Sequence, residues 1–203
     1  MTSRRLVFAS CAAAALILAG CDKLGLPGAG GGKANFNGVD ITGADYRYSL
    51  PDVSGRPRGN EDFKGKVTVV FFGYTQCPDV CPTTMAELAQ VKKLLGKDGE
   101  RLQGVFVTID PERDTPQVLK PYMESFDPSF VALRGTPEQT AATAKEFKVF
   151  YAKSPGKTPD SYSMDHTAGS YVFDTQGRVR LFESYGRGAK ALAADLKVLL
   201  AAG

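Results

Sequence analysis

VTVVFFGYTQCPDVCPTTM, residues 67–85, decides most of the fold. Its first six residues, 67–72, form an unbroken β-branched and aromatic run, the pattern of a strand buried on both faces. A different rhythm begins at Thr83, where Met85, Leu88, Val91, Leu94 and Leu95 recur at helical spacing over residues 83–95. Between strand and helix lie Cys77 and Cys81, each followed by a proline. Proline suits the first turn of a helix, which predicts a helix starting near Pro82 with Cys81 at its cap. Each proline also turns the preceding cysteine away from helical geometry. The pair therefore sits on a short strand-to-helix loop at a carboxyl end of the sheet, where ligands bind in α/β folds. A helix N-terminus favours negative charge, so both thiol pKa values are expected to be lowered.

The same alternation continues outward. Residues 105–109 read as a second buried strand, and Thr115-Pro116 opens a helix with Thr as N-cap and Pro in the first turn. Residues 130–133 read as a third strand. Thr136-Pro137-Glu138-Gln139 repeats the helix start and adds a capping box. Residues 170–174 and 178–184 flank Thr175-Gln176-Gly177 and read as a hairpin, and residues 189–200 as a closing amphipathic helix. Residues 46–50 are a short strand candidate. The expected class is α/β: a mixed central sheet with helices on both faces, ending in a hairpin and a helix.

The chain has 203 residues, 43% hydrophobic and 23% charged, with no tryptophan and a single histidine, His166. Its net charge of +3 includes Arg4 and Arg5; without them 23 basic residues face 22 acidic ones. No dense Lys/Arg cluster appears, which argues against a nucleic-acid partner. Arg4 and Arg5 precede an Ala-rich apolar run, residues 6–19, shorter than the ~20 residues a spanning helix needs. Residues 1–20 read as an export signal. The run ends Leu18-Ala19-Gly20-Cys21, which resembles the bacterial lipoprotein box. That resemblance implies cleavage before Cys21 and a lipid on its sulfur, and Asp22 fits retention at the inner membrane. The rest of the twin-arginine pattern is poor. Residues 22–34, DKLGLPGAGGGKA, are Gly-rich and aperiodic, so 21–39 reads as a lipidated cysteine plus flexible tether of about 20 Å reach. The folded domain is expected over 40–203. Cys11 leaves with the leader, which leaves Cys77 and Cys81 as the available thiols in an envelope compartment where disulfides are permitted.

Those two cysteines admit three readings. A structural disulfide across so short a loop contributes only about 2 kcal/mol in the loop-closure model. A dithiol–disulfide couple is open, because thioredoxin-type couples also follow a strand and the one extra residue still allows closure. A metal site is the third: two thiolates are soft ligands that favour Cu(I), while zinc normally takes three or four protein ligands. The lone His166 lies in SYSMDHTAGSYVFD, residues 161–174. Isolation alone makes it a surface or satisfied residue. Met164 reads as core filling before weak soft ligand, and Asp165 as a turn carboxylate before an acceptor orienting the imidazole. No threonine and arginine surround Cys77 in the peroxiredoxin manner.

Three segments taken together resemble the Sco/SenC family of copper proteins that help assemble cytochrome c oxidase. They are residues 71–84 (FFGYTQCPDVCPTT), 107–116 (VTIDPERDTP) and 165–174 (DHTAGSYVFD). The resemblance runs over most of residues 40–200 and implies a thioredoxin-like fold. It implies that Cys77 and Cys81 are thiolate ligands, and His166 the imidazole ligand, of one Cu(I) or Cu(II). It also implies a role in maturing the dinuclear copper centre of oxidase subunit II, at the periplasmic face of the inner membrane. A periplasmic thiol reductase or copper donor would be a further partner. The leading expectation is a non-enzymatic delivery protein; the alternative is an enzyme, a thiol–disulfide oxidoreductase using Cys77 and Cys81 to keep the oxidase cysteines reduced. Two departures stand out: Gln76, where many relatives have histidine, and Gly169, where relatives often place a larger apolar residue. The Asp110–Pro116 segment is open between strand end, turn and helix cap on one hand and a docking rim formed by Asp110, Glu112 or Arg113 on the other.

Overall fold

The computed structural model describes residues 35–158 and 161–203. The export signal, Cys21 and the tether at 22–34 lie outside the described residues. The expected first strand is β4 (Val67–Gly73), with every residue buried. It pairs in parallel with β5 (Leu102–Thr108), also fully buried, and β5 pairs in parallel with β6 (Val131–Leu133). On its other side β4 pairs antiparallel with β9 (Gly169–Phe173), β9 with β10 (Val179–Ser184), and β10 with the two-residue β1 (Val39–Asp40). The mixed six-stranded sheet runs β1-β10-β9-β4-β5-β6. The last three strands are joined by α1 (Val80–Leu94) and α2 (Pro116–Glu124), the crossover that parallel pairing demands.

Alternation along β4 sends neighbours to opposite faces. Phe71 meets Phe106, which packs on Tyr122 of α2, and α4 (Ala189–Ala201) packs beside α1 on this face. Phe72 points the other way, to Phe147 at a ring separation of 5.1 Å, just past α3 (Pro137–Glu146). Phe147 also stacks on Tyr46 and meets Tyr171 edge-on. Helices thus cover both faces, as expected.

Several elements follow their sequence signals. Thr136 Oγ1 accepts the Gln139 N–H, and Gln139 Oε1 accepts the Thr136 N–H, closing the expected capping box. The hairpin turns at Gly177, whose N–H donates to the Asp174 carbonyl. α1 ends where Gly96, in the left-handed region at φ +59°, follows Leu95.

Other elements differ. The strand expected at 46–50 lies at β2 (Ser49–Pro51), paired with β3 (Pro57–Gly59) outside the main sheet. α1 begins at Val80 with Asp79 at its N-cap, so Cys81 lies inside the first turn. The missing proline N–H costs nothing there, because first-turn amides have no helical acceptor; this outweighs the proline's push on Cys81. A second small sheet, β7 (Tyr151–Ser154) with β8 (Ser163–His166), was not expected at all. Gly169 suits its place: a Cβ there would lie 2.3 Å from Phe182 Cζ, so the Phe182 ring occupies the volume that a larger residue would need.

Ahead of β1, Asn37 and Gly38 are fastened to α4. The Asp195 carboxylate, 1% exposed, accepts both their backbone N–H groups and the Asn37 side-chain amide. Beside it Glu183 on β10 is buried. Burial, the neighbouring Asp195 and Glu87 push its carboxyl up to about 7, against a smaller opposing effect of Arg187. A carboxyl raised in the folded state binds a proton that the unfolded chain has lost, so its contribution to stability falls as pH rises from about 4.5 to about 7. Glu183→Gln is expected to flatten that fall and to raise stability near pH 8 by about 1–3 kcal/mol, read by denaturant melts across the pH range.

Candidate metal centre

β4 delivers the chain to its carboxyl end, where the Tyr74 carbonyl accepts the Cys77 N–H and starts the cysteine loop. The loop is held by Asp114, fully buried, whose carboxylate accepts the Thr75 N–H, the Thr75 hydroxyl and, at 2.6 Å, the Thr108 hydroxyl. α1 then sets Cys81 against the end of β4. A Cβ on Gly73 would lie 2.8 Å from Cys81 Sγ, so glycine at the end of β4 leaves the room that the sulfur fills. Cys81 is fully buried and Cys77 half-buried; both are free thiols, and the Cys81 N–H donates to Cys77 Sγ at 3.4 Å.

His166 ends β8, opposite Tyr151 of β7. The turn beyond it is tied down: Thr167 N–H donates to the Phe150 carbonyl and Phe150 N–H to Thr167 Oγ1. The imidazole lies edge-on to Phe71 and Tyr74, at ring separations of 5.9 and 6.1 Å. Its Nδ1 is 3.0 Å from the Thr167 carbonyl. A carbonyl can only accept, so Nδ1 carries the proton and donates it there. Burial lowers the histidine pKa, favouring the neutral ring. Nε2 then presents a lone pair, 3.6 Å from Cys81 Sγ.

Cys77 Sγ, Cys81 Sγ and one His166 nitrogen all lie within 4.8 Å of one another. Two donors on one ion, each about 2.0–2.3 Å from it, stand at most ~4.6 Å apart. The cluster therefore has the spacing for one shared ion after small adjustments, and its two sulfurs and one imidazole suit a soft metal.

One electrostatic expectation is corrected. Burial pushes the Cys81 thiol well up, although the cysteine lies in the first turn of α1. Desolvating the thiolate outweighs the favourable field of the helix terminus. Met164 is core, 6% exposed, as expected. Asp165 is exposed; the group orienting the imidazole is the Thr167 carbonyl. Gln76 is exposed and its Oε1 accepts from Arg113.

The 110–116 segment, open from sequence, is built into the fold. Asp110 and Asp114 are 2% and 0% exposed, and Arg113 pairs with Asp110. Glu112 alone of these charges faces solvent, where it pairs with Lys153 at 2.7 Å. What sequence reasoning missed is that this turn also grips the strand pair carrying His166. The signal was four charges and two prolines in seven residues with no helical or strand period, which identified a turn and nothing about its partners.

Residues 40–201 match the SCO1/SenC family profile. The chain belongs to the SCO1/SenC family. A SCO2-like protein of Rickettsia felis is 38% identical over 132 residues, 64% of this chain and 64% of that protein. The chain thus spans about two thirds, slightly less, of the length of such relatives. Among solved structures, Bradyrhizobium japonicum ScoI with copper bound is 41% identical, covering 75% of this chain and 97% of that one at a TM-score of 0.68. Apo Sco1 from Thermus thermophilus is 39% identical, covering 81% and 97%, at 0.73. These relationships confirm the thioredoxin-like fold expected from the SCO1/SenC resemblance. With the donor geometry above, the Cys77–Cys81–His166 cluster of this SCO1/SenC protein is one that can take a single copper ion.

Proposed function

We propose that this protein binds copper through Cys77, Cys81 and His166 and delivers it during cytochrome c oxidase assembly, to the dinuclear copper centre of subunit II. The observation that carries this reading is the convergence of two free sulfurs and a lone-pair nitrogen within 4.8 Å, from segments 85 residues apart in the chain. Copper is cargo in this reading. Three protein donors leave it open to a partner's ligands, which permits transfer by stepwise ligand exchange. Neutral Nε2 and half-buried Cys77 are the donors able to let go, while fully buried Cys81 holds.

The signal at residues 1–20, the box ending at Cys21 and the Gly-rich residues 22–34 support a lipid-anchored form at the periplasmic face of the inner membrane. No helix among the described residues is long and apolar enough to cross a membrane. The tether then leaves domain 40–203 free to turn toward a membrane-bound acceptor.

A second reading has one observation in its favour. Cys77 is half-exposed and its sulfur accepts the Cys81 N–H, the position of an attacking thiol in a dithiol couple. In that reading the protein reduces the acceptor's cysteines before copper arrives.

The test is metal analysis of purified residues 35–203, loaded with Cu(I) or with Zn(II) and desalted. Copper delivery requires one Cu(I) retained per chain and zinc lost. Equal retention of both, or neither, removes the basis for the proposal. A pH dependence follows as well. Burial favours the protonated Cys81 thiol in the metal-free protein, and metal binding must release that proton. Apparent Cu(I) affinity is therefore expected to rise with pH by about tenfold per unit for each proton released, read by ligand competition between about pH 6 and pH 8. A flat profile would mean that the thiols are not the ligands.

A further inference from the structure

The two arms of the metal cluster belong to different pieces of the fold. Cys77 and Cys81 sit on the β4–α1 connection of the main sheet, whereas His166 ends β8 in the separate two-stranded sheet. How closely the imidazole approaches the sulfurs depends on what docks that small sheet. Arg113 is a side chain that touches both sides. Arg113 Nε donates to the Asp110 carboxylate and its Nη1 to Gln76 Oε1 at 3.1 Å, the residue before Cys77. The same Nη1 donates at 2.8 Å to the Tyr162 carbonyl, one residue before β8. The guanidinium carbon also lies over the Tyr162 ring, 3.6 Å from its centre, and the Tyr162 hydroxyl donates to the other oxygen of Asp110 at 2.9 Å.

The anchor on the main sheet is rigid. Ile109 N–H donates to the Gly73 carbonyl at 2.9 Å, and the Asp110 N–H to Thr108 Oγ1 at 3.0 Å, so the turn bearing Arg113 is fixed to the end of β4. The Asp110 side chain is 1% exposed and that of Arg113 15%. The ion pair across this seam, Lys153 with Glu112, has side chains 49% and 59% exposed, and such surface pairs contribute little. A planar fork that stacks and donates in two directions is also something lysine cannot reproduce.

We propose that Arg113 is a positioning residue for the metal site: by clamping Tyr162 to Asp110 and Gln76, it sets the approach of His166 to the Cys77 and Cys81 sulfurs. The proposal rests on the copper-binding reading for one readout only. The other is metal-free, since the protein's single histidine makes its imidazole NMR signals unambiguous.

The experiment compares the soluble domain, residues 35–203, with Arg113→Ala and Arg113→Lys, each alone and combined with His166→Ala. Thermal melts establish folding. Without metal, the imidazole of the parent protein should give one sharp set of signals, and Arg113→Ala should shift and broaden them. Cu(I) affinity should fall about tenfold or more on Arg113→Ala in the parent background, but by less than about twofold once His166 is already alanine, the non-additivity expected of residues acting as one unit. Arg113→Lys should recover only part of the loss, because charge returns without the fork. An equal fall in both backgrounds would make Arg113 merely structural and overturn the proposal. Unchanged imidazole signals in both Arg113 variants would overturn it too, whether or not copper binds. If Arg113→Ala does not fold, the imidazole signals of Arg113→Lys and Tyr162→Ala decide between the same two outcomes. Absence of Cu(I) binding in the parent domain would strike the copper reading, and the metal-free spectra would still judge Arg113.

Discussion

Replacing Cys81 by serine is expected to abolish stable copper retention, lowering Cu(I) affinity by at least about a thousandfold. The substitution keeps the volume that Gly73 leaves for Sγ but exchanges a soft sulfur for a hard hydroxyl, and two remaining donors cannot hold the ion against solvent. Folding should survive. The side chain is fully buried, so the new hydroxyl costs about 1–2 kcal/mol unless it reaches an acceptor, a modest loss for a domain with this core. The measurement is copper per chain after desalting, paired with a thermal melt. Full copper retention by a folded Cys81→Ser protein would mean the ion sits elsewhere.

His166→Ala separates delivery from thiol reduction. In the proposed site the imidazole is the one nitrogen donor, with Nε2 freed because Nδ1 donates to the Thr167 carbonyl. Its loss is expected to weaken Cu(I) binding by about a hundredfold and to remove function in oxidase assembly together with it. Thiol exchange needs only the sulfurs, so reaction of Cys77 and Cys81 with a small disulfide should continue at a comparable rate. Assembly of an active oxidase in cells carrying only His166→Ala would favour the reductase reading, with Cys77 as the attacking thiol. Loss of assembly with thiol exchange intact would favour delivery.

These expectations rest on features of unequal legibility in the sequence. The strand at 67–72 was plain because a strand buried on both faces needs no polar position, and nothing interrupts VTVVFF. The capping box at Thr136 and the turn at Gly177 were plain because their chemistry is local. The start of α1 was misplaced by two residues, since first-turn amides tolerate proline and the pattern alone does not say which turn position Pro82 holds. The β7–β8 pair was invisible: each strand has four residues, Lys153 and Ser154 give β7 no alternation, and the one inward residue of β8, Met164 between exposed Ser163 and Asp165, is too short a pattern to read.

The site divides in the same way. Two cysteines on a strand-to-helix loop announced themselves by spacing. The third donor did not: His166 has no periodic partner, and only its resemblance to a family motif connected it with a loop 85 residues away. The electrostatics of Cys81 were read with the wrong sign, because a helix terminus is visible in sequence and burial is not. The clamp at Asp110, Arg113 and Asp114 was legible as a turn and illegible as a device, since its partners Thr75, Gln76 and Tyr162 lie on other segments.

X-ray absorption at the copper edge, on residues 35–203 loaded with one equivalent of Cu(I), tests the convergence of these donors most directly. Two sulfur scatterers and one imidazole nitrogen per copper, with the imidazole signature lost in His166→Ala, is the expected result. A site fitted by sulfur alone in the parent domain, unchanged by that substitution, would contradict it.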